Sequence, residues 1–326
     1  MPTKNYSPRA GLTMSLLTSN LPTSNQLHLS CIGAGRVGSS LCNLLAEYVT
    51  IKQVINRTAV SAQKAVDFIG SGDPVALKDT SCRQFQSADL WIISTPDDHI
   101  EETVQLLADS GVLQTDNIVF HCSGAISSNV LSPLKAMGVH IGSLHPIHSF
   151  ANPANSISNL NKVPFAIEGD ANAVNSLTDL CIAIGGQPFT ISSDSKSLYH
   201  AATVMASNNL ISLLEMSKSM LAQAGVELQA DGNPLDLLIQ QTVTNYLNTN
   251  AQAALTGPIA RGDVTTVASH LLALQNTHGE WQETYRGLGK MAVEISARQG
   301  QASAEQLQDI LLLLNIQTDN QTSDKT

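Results

Sequence analysis

Residues 31–40 read CIGAGRVGSS, with Gly33, Gly35 and Gly38 in a G-x-G-x-x-G spacing. Extended outward, HLSCIGAGRVGSSLCNLLAEY (28–48) puts this triplet between a short apolar strand pattern and an amphipathic helix pattern. That context gives each glycine a task. Gly33 permits a tight turn, Gly35 lets the backbone approach a pyrophosphate, and Gly38 lets the helix pack close to the strand. The helix N-terminus then faces the phosphates with unpaired N–H groups. The expectation is a dinucleotide held by residues 33–38, Arg36 and Val37 among them.

The neighbouring segments extend this unit into a fold. LHLSCIG, IKQVIN, ADLWIIST, NIVFHCSG, VPFAIEG and GQPFTIS are strand-like and are separated by helical stretches up to about residue 192. Alternation of this kind predicts an α/β fold with a doubly wound, mainly parallel sheet. Beyond 193 the strand signal stops and helices follow. One is expected from Asp194 to Ala224 with Gly225 closing it, another after Asn233-Pro234, a third after Asp263, and a last after Ser303 with Gln306 as a capping-box partner. The expected organisation is a polar tail (1–25), a Rossmann domain (26–192), an all-α domain (193–315) and a second polar tail (316–326), with Met14 as an alternative start.

Composition narrows the function classes. Lys and Arg number 17 against 27 Asp and Glu, a net charge of −10 that disfavours nucleic acid as a partner. No stretch reaches the ~20 apolar residues of a membrane span. The N-terminal apolar patch, Leu12 to Leu17, is short and interrupted by Thr13 and Ser15, unlike a secretory signal. Cys31, Cys42, Cys82, Cys122 and Cys181 form no C-x-x-C pair and lie mostly in apolar runs, as reduced thiols of a cytoplasmic protein do.

The second strand ends at Asn56-Arg57-Thr58, where an NAD enzyme usually presents a carboxylate to the ribose. Here a guanidinium and a hydroxyl stand instead, which favours NADP(H), with Arg57 and Thr58 on the 2′-phosphate. STPDDH (94–99) and HCSGA (121–125) follow strands on the same carboxyl edge. Ser94, Thr95 and Pro96 are expected on the nicotinamide side, and Ser123 and Gly124 beside the substrate.

Hydride transfer to C=O or C=N leaves an atom that needs a proton, so a donor must stand near the nicotinamide. In SDSKSLYHAATVMASNNLISLLE (193–215), Lys196, His200, Thr203 and Ser207 share one helical stripe with Asn208 beside it, while Leu198, Ala201, Ala202 and Met205 cover the other side. His200 is the candidate general acid. Lys196 is the candidate to polarise a carbonyl or bind a carboxylate, and Asn208 to hydrogen-bond substrate or cofactor. GSLHPIHSFANP (142–153) is expected to be a loop placing His145 or Ser149 near substrate; its H-x-x-H pair has no third ligand in view, so no metal is expected. Arg261 in LTGPIARGD (255–263) is a candidate anion clamp before a helix capped by Asp263.

Taken in order, GAGRVG, NRT, STPD, HCSG, LHPIHSF, YHAATVMASNN and LTGPIARGD resemble the Rossmann-like oxidoreductases with a helical C-terminal domain of unknown function, over about residues 26–315. These are relatives of ketopantoate reductase, pyrroline-carboxylate reductase, 6-phosphogluconate dehydrogenase and the deazaflavin-dependent NADP oxidoreductases. The resemblance implies a helical domain that dimerises, with substrate between the domains and Lys196 and Asn208 in the parts of the ketopantoate reductase lysine and asparagine. The helix here reads K-x-x-x-H where that enzyme has K-x-x-x-N. The expected function is NADPH-dependent reduction of a small carbonyl or imine compound such as a 2-oxo acid. The alternatives are a dinucleotide-binding sensor or assembly protein without turnover and metal-dependent hydrolysis through His145 and His148.

Overall fold

The computed structural model describes residues 27–77, 84–148, 150, 162–227 and 232–316. Ser149 and both polar tails lie outside the described residues, apart from Ile316. The chain divides into two compact units, one ending at Ser207 and the other beginning at Asn208.

The first unit is an α/β layer structure. Its strands are β1 (His28–Ile32), β2 (Thr50–Asn56), β3 (Asp73–Ala76), β4 (Leu90–Ile93), β5 (Ile118–His121), β6 (His140–Pro146), β7 (Pro164–Gly169) and β8 (Gln187–Thr190). They form one sheet in the order β3-β2-β1-β4-β5-β6-β7-β8. Only the β6–β7 pairing is antiparallel among those described. Residues of β4 and β5 are buried on both faces, which explains their near-continuous apolar sequences LWII and IVFH.

Helices α1 (Arg36–Leu45), α2 (Ala59–Ile69) and α4 (Ala171–Ala183) cover one face. Leu41, Leu45, Ile69 and Leu177 pack there on Leu29, Val54, Ile92 and Phe120. Helix α3 (Ile100–Asp109) and a 3₁₀ segment (Ser128–Met137) cover the other, with Val104, Leu107, Leu131 and Leu134 on Ile32, Ile93, Val119 and Ile141.

Two strands were hidden in the sequence. β3 contains Pro74 and lies at the sheet edge, where a missing N–H is tolerated. β6 overturns the expected loop around His145. Its Gly142 lies under α4, where a Cβ would come within 2.9 Å of Leu177 Cδ1, so close helix packing requires the residue that weakens the strand signal.

Helix α5 (Lys196–Ala206) completes the first unit. The sequence suggested one helix from Asp194 to Ala224. The structure breaks it at Ser207 (φ −123°, ψ −77°), where the Ser207 hydroxyl donates to the Thr203 carbonyl at 2.7 Å. A Ser-Asn-Asn run competes locally for backbone hydrogen bonds and favours such an interruption.

The second unit contains α6 (Asn208–Gln223), α7 (Asp236–Asn248), α8 (Ala251–Ala254), α9 (Val264–Leu274), α10 (Gly279–Gln299) and α11 (Ala304–Asn315). Ile259, Val267, Leu271, Val293, Leu307, Ile310 and Leu314 form its core. Asp263 caps α9 through the Thr266 N–H, and Ser303 with Gln306 forms the expected capping box of α11. The helix expected right after Asn233 begins at Asp236, because the Asn233 side chain accepts from the Leu235 N–H and closes a turn first.

Candidate functional site

The glycine turn adopts the conformation its spacing required. Gly33 has φ +84°, and a Cβ there would meet the Thr95 N at 2.6 Å. A Cβ on Gly38 would lie 2.9 Å from Ser94 Cβ and 3.2 Å from Cys31 Sγ, which is the close helix–strand approach. Gly35 is different: its nearest neighbour would be the Gly33 oxygen at 3.9 Å. The space above Gly35 is open, and the α1 N-terminus has no side-chain cap. Thr95 Oγ1 is buried beside this turn without a hydrogen-bond partner. Open backbone, uncapped N–H groups and an unpaired hydroxyl fit the phosphates and ribose of a dinucleotide.

At the end of β2 the roles divide. Asn56 is buried, and its amide donates to the Ser61 carbonyl at 2.9 Å and the Ala34 carbonyl at 3.4 Å, tying the glycine turn to α2. Thr58 caps α2, accepting from the Ser61 N–H. These two side chains build the loop. Arg57 and Arg36 are exposed at its rim, and Pro96 lies exposed beyond Thr95.

Ser123 is likewise a loop builder. Its hydroxyl donates to Asp97 Oδ2 at 2.9 Å and accepts from the N–H groups of Ala125 and Ile126. That use accounts for its hydroxyl within the loop.

The chemistry-bearing groups converge further along the sheet. Register partners Ile32, Ile93, His121, Ser143 and Glu168 form one row across β1, β4, β5, β6 and β7. The row is apolar at one end and polar at the other. Helix α5 lies over the polar end and turns its polar stripe inward: Lys196 is buried and Tyr199, His200 and Thr203 are half-buried, while Leu198 and Met205 are exposed. Thr203 Oγ1 donates to the His200 carbonyl and so serves the helix.

Lys196 departs from the expected cleft-lining side chain. It is 1% exposed, its Nζ donates to Ser143 Oγ, and it pairs with Glu168 Oε1 at 3.2 Å. Glu168, 2% exposed, also accepts from the Ser128 N–H (2.7 Å), the Ser128 hydroxyl (2.6 Å) and the Ser193 hydroxyl (2.6 Å). Burial pushes the Glu168 carboxyl up, but the Ser128 and Ser193 hydroxyls and the Lys196 ammonium outweigh it and hold the acid below its usual range. Burial pulls Lys196 down, against the opposing pull of Glu168.

His145, Tyr199, His200 and Gly124 meet beside this pair. The Tyr199 hydroxyl is 2.7 Å from His145 Nδ1, and the His145 and His200 rings pack edge-to-face with centroids 5.9 Å apart. A Cβ on Gly124 would collide with His200 Cδ2 at 2.5 Å and His145 Nε2 at 2.7 Å, so glycine is what lets both rings approach this backbone. Burial, then the charges of Lys196 and His200, lowers the His145 pKa to about 4, and burial pushes the Tyr199 phenol up to about 12. At neutral pH the pair is therefore an uncharged imidazole against a protonated phenol. His121, fully buried, is lowered to about 4 by burial and by Lys196.

Three of the expected site residues, Gly124, His145 and His200, are thus brought together. Asn208 and Arg261 belong to the second unit, at the start of α6 and in the exposed turn before α9. Tyr199, Glu168, Ser143 and His121 were missed. Tyr199 is three residues from Lys196 on the inward stripe, and Glu168 is a lone carboxylate in the apolar strand VPFAIEG; both signals were present in the sequence. Among the described residues no group of three or more His, Cys, Asp or Glu is arranged to hold a metal.

Comparison with known proteins agrees with this architecture. Residues 17–146 match the Rossmann-like domain family, and residues 163–292 match a domain of unknown function (DUF2520). No curated protein matches the chain. A solved protein from Thermotoga maritima is 23% identical with a TM-score of 0.67, the alignment covering 83% of this chain and 99% of that one. A Bacteroides fragilis protein assigned as an NADP oxidoreductase is 20% identical (TM-score 0.59; 84% and 98% covered). An imine reductase variant from Myxococcus stipitatus, solved in complex with NAD+, is 18% identical (TM-score 0.56; 88% and 100% covered). The chain thus shares the fold of these proteins, a Rossmann-like domain followed by a helical region.

Proposed function

We propose that this protein is an NADPH-dependent reductase of a small carbonyl or imine compound, with 2-oxo acids among the candidates. The observation that carries the reading is the placement of two dissimilar features on one sheet edge. The open glycine turn follows β1, and the His145–Tyr199–His200 cluster stands over the ends of β5 and β6. Three strand spacings, about 14 Å, separate β1 from β6, a span that an extended dinucleotide bridges. The solved relatives named for NADP oxidoreduction and imine reduction support the same direction.

In this reading the backbone of residues 33–38 and the α1 N-terminus hold the pyrophosphate, with Ser94, Thr95 and Pro96 on the nicotinamide side. Arg57, exposed at the rim and without a carboxylate beside it in the loop, selects the 2′-phosphate. Bound NADPH supplies the hydride. His200 delivers the proton to the substrate heteroatom, and the Tyr199 hydroxyl, held by His145, hydrogen-bonds the same atom. Gly124 leaves room for substrate against both rings. The four described cysteines, Cys31, Cys42, Cys122 and Cys181, are free and buried, in keeping with a cytoplasmic protein. No helix among the described residues is long and apolar enough to cross a membrane. The exposed Leu237, Leu238 and Leu247 of α7 give a second copy an apolar surface, and we assign a homodimer through the C-terminal helices.

The test is a fluorescence titration of the purified chain with NADPH and NADH, followed by single-turnover reduction of cyclic imines, ketones and 2-oxo acids. Saturable NADPH binding and substrate-dependent loss of nicotinamide fluorescence are expected. Absence of binding to either dinucleotide sinks the reading.

A further inference from the structure

We propose that Lys196 is a positioning residue: clamped by Glu168 and Ser143 beneath the first turn of α5, it sets the state of His145 and through it the Tyr199 hydroxyl, without itself touching substrate. The inference rests on the reductase reading above for its catalytic meaning, and on geometry for its content.

Four observations carry it. Lys196 Nζ is spoken for by Glu168 and Ser143, and both members of the ion pair are about 1% exposed as side chains, so the ammonium has no open path to a ligand. Glu168 is held in turn by Ser128 from the 3₁₀ segment and Ser193 just before α5, so the pair joins β6, β7 and two flanking segments. Lys196 is the first residue of α5, and Tyr199 and His200 follow within its next turn, so fixing Lys196 fixes where those two side chains enter. Finally, the Lys196 ammonium lowers both His145 and His121, and Glu168 opposes it at His121. The titratable groups facing His145 are Lys196, Tyr199 and His200 from α5 and His121 from the neighbouring β5, and of these Lys196 is the buried partner of an ion pair. A neutral His145 can either accept from or donate to the phenol, whereas an imidazolium can only donate.

The experiment uses the full chain without cofactor or substrate. Histidine side chains are isotopically labelled and titrated by NMR, with His145 and His121 identified through His145→Gln and His121→Gln. Lys196→Met leaves Glu168 buried without its partner and is expected to destabilise the unit strongly, so the informative variant is the charge-free Lys196→Met/Glu168→Gln, its fold checked by circular dichroism and a cooperative urea transition. The expected result is an upward shift of the His145 midpoint by roughly one pH unit, and a smaller shift for His121, where the two lost charges offset. With a turned-over substrate, kcat falls at least tenfold, KM stays within about twofold, and Lys196→Arg restores part of kcat. An unmoved His145 midpoint in the folded double variant overturns the proposal, as does a KM increase of tenfold or more with kcat retained. Failure of the reductase reading leaves the NMR result standing on its own.

Discussion

The Tyr199 hydroxyl lies 2.7 Å from His145 Nδ1 and joins the first turn of α5 to the end of β6. The phenol stays protonated and the imidazole uncharged at neutral pH, because burial shifts both in that direction. In the proposed reductase the contact orients a hydroxyl, and the proton-donating task falls to His200. Replacing His200 by Ala is expected to lower kcat by about 10²–10⁴, and Tyr199→Phe by about 10-fold, one neutral hydrogen bond's worth. NADPH affinity should stay within twofold in both. Equal losses in the two variants would remove the distinction between acid and orienting hydroxyl.

The glycines separate folding from binding. Gly35→Ala enters open space at φ −80° and should change stability by less than about 1 kcal/mol, while NADPH Kd rises tenfold or more. Gly38→Ala must displace Ser94 and Cys31 and is expected to cost about 1–3 kcal/mol. Urea denaturation and fluorescence titration of both variants read the two effects independently.

Much of this was legible in the sequence. The fold class followed from GAGRVG between its strand and helix, and the Asp263 and Ser303 caps were visible as local chemistry. Gly124, His145 and His200 were named from three distant segments that the sheet edge brings together. What stayed hidden depends on tertiary pairing. β6 was obscured by Gly142, whose smallness serves α4, and the partner of Lys196 lies across the sheet on β7, where no spacing rule reaches it. The break at Ser207 turned on competition between side-chain and helix hydrogen bonds, which periodicity does not register.

Arg57 makes a sharper claim about the cofactor. Its removal in Arg57→Ala should weaken NADPH binding by roughly 10- to 100-fold, the worth of a charge-assisted contact, with NADH binding nearly unchanged. Parallel titrations give the ratio, and an unchanged preference would assign the 2′-phosphate to another group.

Acid should destabilise the first unit early. His121 and His145 titrate at about 4 when folded against 6.5 for the ordinary imidazole, so between those values the unfolded chain binds more protons. Stability is fully present above pH 6.5 and falls as pH drops toward 4. Glu168, lowered in the folded state, adds its own loss below its ordinary 4.5. Urea midpoints should hold from pH 7.5 to about 6.5 and then fall down to pH 4, and His145→Gln should show a shallower fall. A flat profile would mean that the histidines are not buried uncharged.

The most direct measurement is NADPH oxidation by the purified protein, followed at 340 nm, with cyclic imines, ketones, aldehydes and 2-oxo acids, NADH being run in parallel. The account predicts at least one substrate turned over with NADPH preferred and with the rate lost in His200→Ala. NADPH bound tightly yet oxidised by none of these classes would contradict it and give the chain to a dinucleotide sensor instead.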